Sequence, residues 1–230
     1  MQTGALWRFR RDYMADYHVG MVPNPRVELA VAVAASSAFP PVLSPLRLTL
    51  DEADFTPNSG KNLQFPPYTT EVWLTDGGVY DNLGLETAWK RYQTIFVSDG
   101  GGKLAPEPEP DKDWARHTLR VLNLIDNQVR SLRKRQLIDS FVGKERGGAY
   151  WGIMTDYRQY TASSPALPCP FEATSALAGI PTRLARMDAV AQERLMNWGY
   201  AECDAALRTY YDPALPQPSG FIYPDAGVGA

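Results

Sequence analysis

Histidine and cysteine are scarce in this chain, with two of each among 230 residues. Cys169 and Cys203 are too few for a disulfide framework and lack metal-ligand spacing, so they are expected to be reduced, buried or incidental. His18 and His117 stand alone, outside any His-Glu-x-x-His motif, which leaves a metal centre without its usual ligands. Long apolar runs are missing too. The richest, Leu29 to Ala35, falls far short of the ~18 residues of a membrane-spanning helix and soon meets Pro40-Pro41. The first eleven residues have no apolar stretch followed by a small-residue cleavage site, so no secretion signal is expected there. A formal charge of -3 and a pI near 5.5 give no reason to expect nucleic acid or an anionic membrane surface as partner. Several catalytic signatures are absent as well. No Gly-x-Ser-x-Gly occurs, and the nearest approach, Phe96-Val97-Ser98-Asp99-Gly100, has Phe where the strained elbow needs its first glycine. Gly100-Gly101-Gly102-Lys103 has neither Walker nor Rossmann spacing.

What is there reads as an ordinary globular chain, 44% hydrophobic and long enough for one large domain. Met1 to Gly20, with Trp7, Phe9, Tyr13 and Tyr17 among its arginines, reads as a short strand and turn rather than a tail. Asn24-Pro25 predicts a helix start running through Val27, Val31 and Ala34 to Pro40. Strands are expected at Leu46–Leu50, Glu71–Leu74, Thr94–Ser98 and Tyr150–Met154, and helices at Asn82–Tyr92, Trp114–Lys144 and Leu184–Tyr211. In the long helix, Val121, Ile125, Val129, Leu132, Leu137 and Phe141 are expected on one apolar side, with Arg130, Arg133, Lys134 and Arg135 as a solvated face. Residues 51–68 and 161–181 read as loops, and 213–230 as an irregular tail after a single domain over 1–212. Strands alternating with helices predict an α/β fold whose sheet has a parallel component.

Two acid-glycine turns follow two of these strands, Asp76-Gly77-Gly78 and Asp99-Gly100-Gly101. Chemistry in an open α/β sheet gathers beyond the carboxyl ends of strands, so each carboxylate stands where a site would be, although either could be no more than a strand-to-helix turn. Asp76 is favoured because a helix is expected to open directly after it, with Asp81 or Asn82 as cap. Ala34-Ala35-Ser36-Ser37-Ala38-Phe39-Pro40-Pro41 joins small residues at a helix end to a double proline and could line a pocket. Ser36 and Ser37, with no base beside them in sequence, read more simply as helix-end hydroxyls bonded back to carbonyls.

The segment Ala35 to Pro41, followed about 35 residues later by Asp76-Gly77-Gly78-Val79-Tyr80-Asp81-Asn82, resembles the C-terminal half of the patatin-like phospholipases. The strand Ile95-Phe96-Val97-Ser98-Asp99 is similar to that family too, and the resemblance spans about residues 1 to 100. It implies the C-terminal half of a three-layer α/β/α domain and a lipid acyl hydrolase working through a Ser-Asp dyad on phospholipid or acylglycerol. By that resemblance Asp76 is the dyad acid and Gly77 and Gly78 form its turn. Ser36, Ser37 and Phe39 would flank the acyl cavity, and no cofactor or metal is needed. The family's serine elbow and glycine-rich oxyanion loop precede the acid, and neither is in these 230 residues. The chain is therefore expected to be inactive alone, with an upstream segment or a partner chain supplying the serine. The expected partner is a lipid or fatty-acyl ester, met in the cytoplasm or at a membrane surface. Two further readings stand beside this one: a non-catalytic lipid-binding or regulatory module on the same fold, and a metal-dependent phosphohydrolase using Asp76 and Asp99.

Overall fold

A computed structural model describes residues 1–102, 104–161, 167–182 and 185–229. The backbone is α/β, and it divides into two compact units, Met1–Gly84 and Leu85–Ala230.

The first unit begins with an antiparallel meander of β1 (Arg8–Phe9), β2 (Tyr13–Asp16) and β3 (Gly20–Pro23). The turn between β2 and β3 is built on Asp16, which is buried. Its Oδ1 accepts from the His18 and Val19 amides at 2.7 and 3.2 Å, and its Oδ2 from the Thr3 hydroxyl at 2.6 Å. A carboxylate that collects donors in this way imposes the turn itself. Asn24 was expected to start a helix, yet it sits at φ +45° and donates its amide to the Asp12 carbonyl at 2.8 Å, closing the meander. Helix α1 consequently begins later and spans Leu29–Ser36. Strands β4 (Leu46–Thr49) and β5 (Glu71–Leu74) pair antiparallel, with Leu48 opposite Val72 and Leu46 opposite Leu74. Met14, Val22, Ala35, Leu48, Phe55, Val72 and Leu74 make one apolar core beneath these elements.

A helix over 82–92 does not form as one piece. Helix α2 (Gly78–Asp81) starts earlier than expected, Gly84 turns the chain at φ +62°, and α3 (Leu85–Trp89) follows. A left-handed residue cannot continue a right-handed helix, and glycine takes that conformation without steric cost.

In the second unit, β6 (Thr94–Asp99) and β7 (Gly147–Gly152) pair in parallel, with Asp99 opposite Gly152 at their carboxyl ends. Between them in sequence runs α4 (Trp114–Val142), capped by Asp113, whose Oδ1 accepts from the Ala115 and Arg116 amides. Helix α5 (Phe171–Ala178) lies inside the stretch read as loop; residues 162–166 of that stretch fall outside the described residues, as does Leu184, where the last helix was expected to begin. That helix, α6, spans Ala189–Tyr210 and is capped by Asp188. The core of this unit gathers Trp198, Ala201 and Ala205 of α6 with Tyr157, Leu167, Ala173 and Leu177. Buried Trp198 donates its indole N–H to the Ile153 carbonyl at 3.1 Å, so its burial leaves no polar group unpaired. Among the described residues beyond Pro213 none lies in a helix or strand, yet the segment is tied down. Asn197 donates to the Tyr223 and Gly227 carbonyls and accepts from the Tyr223 amide, and Val228 is buried.

Helix α4 departs most from its sequence pattern. Of its apolar series only Leu137 is fully buried, while Val121, Ile125, Val129 and Leu132 are exposed. The basic stretch differs too. Arg130 pairs with Asp99 and Arg133 with Glu86 at 3.3 Å, so these cations bind protein carboxylates rather than solvent alone. Among the described residues no helix is long and apolar enough to cross a membrane.

Candidate active site

Asp76 stands two residues beyond β5, where the strand hands the chain to α2. Its position is held from the backbone outward. The Asp76 amide donates to the Ala38 carbonyl at 2.9 Å, and the Thr75 hydroxyl donates to the same carbonyl at 3.2 Å. The Ser44 hydroxyl in turn donates to the Thr75 hydroxyl at 3.0 Å. The Ala-Ser-Ser-Ala-Phe-Pro-Pro segment therefore meets the acid turn through its main chain: Ala38 is buried and bonded to the turn. That contact lies nearly forty residues away in sequence and has no signature of its own.

The two glycines of the turn have different jobs. The Gly78 amide donates to Asp76 Oδ1 at 2.6 Å, and a Cβ at Gly78 would lie 2.9 Å from that oxygen and 3.1 Å from Asn82 Oδ1. Glycine at 78 thus lets the carboxylate fold onto the start of α2. Gly77 has φ −62° and open space where a Cβ would stand, so nothing in its geometry requires glycine.

Beside Asp76 lies a cavity of about 300 Å³, walled by Leu6, Trp7, Phe9 and Leu74 and reached by Ser36 and Asp76. Of the residues expected near an acyl chain, Ser36 shares this cavity with Asp76 and Gly77, whereas Ser37 and Phe39 are not among its lining residues. Phe39 is 52% exposed. Sequence reasoning missed the aromatic wall, Phe9 of the first strand and Trp7 just before it. The signal that could have found it was the cluster of aromatics among the first twenty residues.

Asp99, the second acid-glycine turn, belongs to the other unit. Its Oδ1 accepts from the Gly101 amide at 2.9 Å and lies 3.8 Å from Arg130 Nη1, and its Oδ2 accepts from the Tyr150 hydroxyl at 2.7 Å. Among the described residues no three acidic, histidine or cysteine side chains come together as metal ligands.

Asp76 is thus fixed at a strand-to-helix turn, at the rim of an apolar cavity. Residues 3–89 match the family model of the patatin-like phospholipases. The match contains both segments that carry the resemblance, Ala35–Pro41 and Asp76–Asn82. No match to the chain is found among curated proteins or among solved structures.

Proposed function

We propose that this chain carries the acid half of a lipid acyl hydrolase, with Asp76 as the base of a Ser-Asp dyad. The observation that carries this reading is the family match over residues 3–89, with Asp76-Gly77-Gly78 inside it and an apolar cavity beside the acid. Asp76 Oδ1 is engaged by the Gly78 amide, which orients the carboxylate and leaves Oδ2 to take a proton. As a serine Oγ attacks the ester carbonyl, Asp76 would accept the hydroxyl proton and return it to the departing alcohol, and water would then release the acyl group. The serine and the oxyanion donors lie outside these 230 residues, in a preceding segment or a partner chain. A base without them loses most of its catalytic effect, because the three act as a unit.

Hydrolysis of p-nitrophenyl butyrate by the 230-residue chain is expected at background level. Supplied with a segment bearing Gly-x-Ser-x-Gly and the glycine-rich loop, it should turn over, and Asp76→Asn should lower kcat by roughly 10² to 10⁴. Full activity in the Asp76→Asn protein would remove Asp76 from the mechanism.

The absence of a serine elbow favours one other reading, a non-catalytic lipid-binding or regulatory module. In that case the unit 1 cavity holds an acyl chain without turnover in any combination, and Leu6→Asp abolishes that binding. Turnover in the completed protein would exclude it.

A further inference from the structure

One wall of the cavity beside Asp76 is a strap, residues 5–9, that carries Leu6, Trp7 and Phe9. The chain holds this strap at both ends. Before it, the Gln2 side-chain amide takes the place of a neighbouring strand on the edge of β5 that β4 leaves open. Its oxygen accepts from the Trp73 amide at 3.1 Å, and its nitrogen donates to the Glu71 carbonyl at 2.9 Å. The Thr3 hydroxyl donates to buried Asp16 at 2.6 Å and accepts from the Ala5 amide at 3.1 Å. At the far end Arg8 and Phe9 pair with Ala15 and Met14 in the meander, and Met14 is buried. Trp7 and Phe9 also pack against the core of this unit. A ligand could lift the strap only by taking a donor from buried Asp16 and opening the β1–β2 pair, and a buried acceptor stripped of its donor is costly.

The rest of the lining decides which end of a ligand goes where. Ala32 and Ala35 are three residues apart on one face of α1, and their methyl groups leave open the space that larger side chains would take. The polar side chains are Ser36 and those at the acid turn, Thr75, Asp76 and Tyr80. The Ala38 carbonyl, two residues past Ser36, bonds the Asp76 amide, so these polar groups come together at the turn. Leu6, Trp7, Phe9 and the two alanines leave the remainder apolar. A methylene group needs roughly the 30 Å³ that a water molecule fills in the liquid, so a cavity of about 300 Å³ admits about ten.

We propose that the strap is a length ruler, with Trp7 and Phe9 restricting the site to esters of short and medium-chain acids, about ten carbons or fewer. The ester lies at the acid turn and the chain runs beneath the strap. Longer chains outrun the cavity and gain nothing from their extra methylenes. The inference rests on the reading of this cavity as the acyl site and adds the substrate class to it.

The test is isothermal titration of the full chain with methyl esters from butanoate to tetradecanoate, each below its solubility limit. Affinity is expected to rise about fourfold per added methylene and to level off by decanoate. Trp7→Ala removes most of the wall and should move the break to dodecanoate or beyond. Ala32→Leu keeps a good helix former on α1, fills the cavity, and should move the break back to octanoate or shorter. Affinity that climbs unbroken to tetradecanoate, or a break that stays in place in both variants, would overturn the proposal. Turnover plays no part in these readings. Loss of the Asp76 dyad would therefore leave the ruler standing, and an unbroken series would leave the dyad standing.

Discussion

Glu202 is a carboxylate in surroundings that its type avoids. It lies on α6, is 2% exposed, and keeps Oε1 without a hydrogen-bond partner. Burial pushes its carboxyl up to about 9, with Thr155 offsetting part of that, while Tyr150, Tyr160 and Cys169, the neighbours that feel its charge, are themselves shifted upward by burial. Between the ordinary value of 4.5 and about 9 the folded chain holds a proton that the unfolded chain has released. Stability from this group is therefore complete below the lower value and falls by up to about 1.4 kcal/mol per pH unit as pH rises toward the upper one. Urea unfolding followed from pH 5 to 9 should show that decline, and Glu202→Gln should flatten it. Equal slopes in the two proteins would mean that Glu202 is ionised in the fold.

A second residue-scale expectation concerns the acid turn. Gly77→Ala meets open space at a helical φ and should raise stability by about 0.4–1 kcal/mol through the unfolded chain. Gly78→Ala should show no such gain, because its Cβ presses on Asp76 Oδ1. Thermal unfolding of both variants checks this, and an equal gain at 78 would show that the carboxylate is free to move. The Asp-Gly-Gly string was legible in the sequence as a turn that presents an acid. Which glycine the turn needs was not, because that depends on where the Asp76 carboxylate folds.

At the scale of elements, periodicity located α4 well and described its faces poorly. Ile125 and Leu137 belong to one apolar series by spacing, yet Ile125 is 55% exposed and Leu137 is fully buried. Leu137→Ala is accordingly expected to cost about 2–5 kcal/mol, and Ile125→Ala to stay within about 0.5 kcal/mol, both read from denaturant midpoints. A helical period reports which side chains share a face; whether another element covers that face is a property of the assembled chain. The split between α2 and α3 has a similar cause. Gly84 was visible in the sequence, but a lone glycine inside a helical pattern is often tolerated, and only its positive φ makes it a break. Asn24 shows the reverse error, a residue with good capping chemistry drawn off by the Asp12 carbonyl.

For the whole molecule, the apolar groups left in water are the main physical fact. Leu122, Ile125, Val129 and Leu132 form a continuous exposed stripe on α4, spaced three, four and three residues apart. Apolar surface of this kind drives association as concentration rises. Light scattering of the 230-residue chain should show growing mass with concentration, and Ile125→Glu with Val129→Glu should suppress it. A monodisperse wild type at high concentration would show that the stripe is too small to associate.

The α/β class, the strand before Asp76, the two long helices and the resemblance to a lipid hydrolase family were all legible in the sequence. These are local or compositional properties, written in the spacing of apolar residues and in short strings whose chemistry does not depend on distant neighbours. Folding was needed to show that Ala38 anchors the acid turn, that Trp7 and Phe9 wall its cavity, and that Arg130 reaches Asp99 at the end of β6. Each of those joins residues far apart in sequence, and such contacts are set by the packing of whole elements, which no short window of the chain encodes.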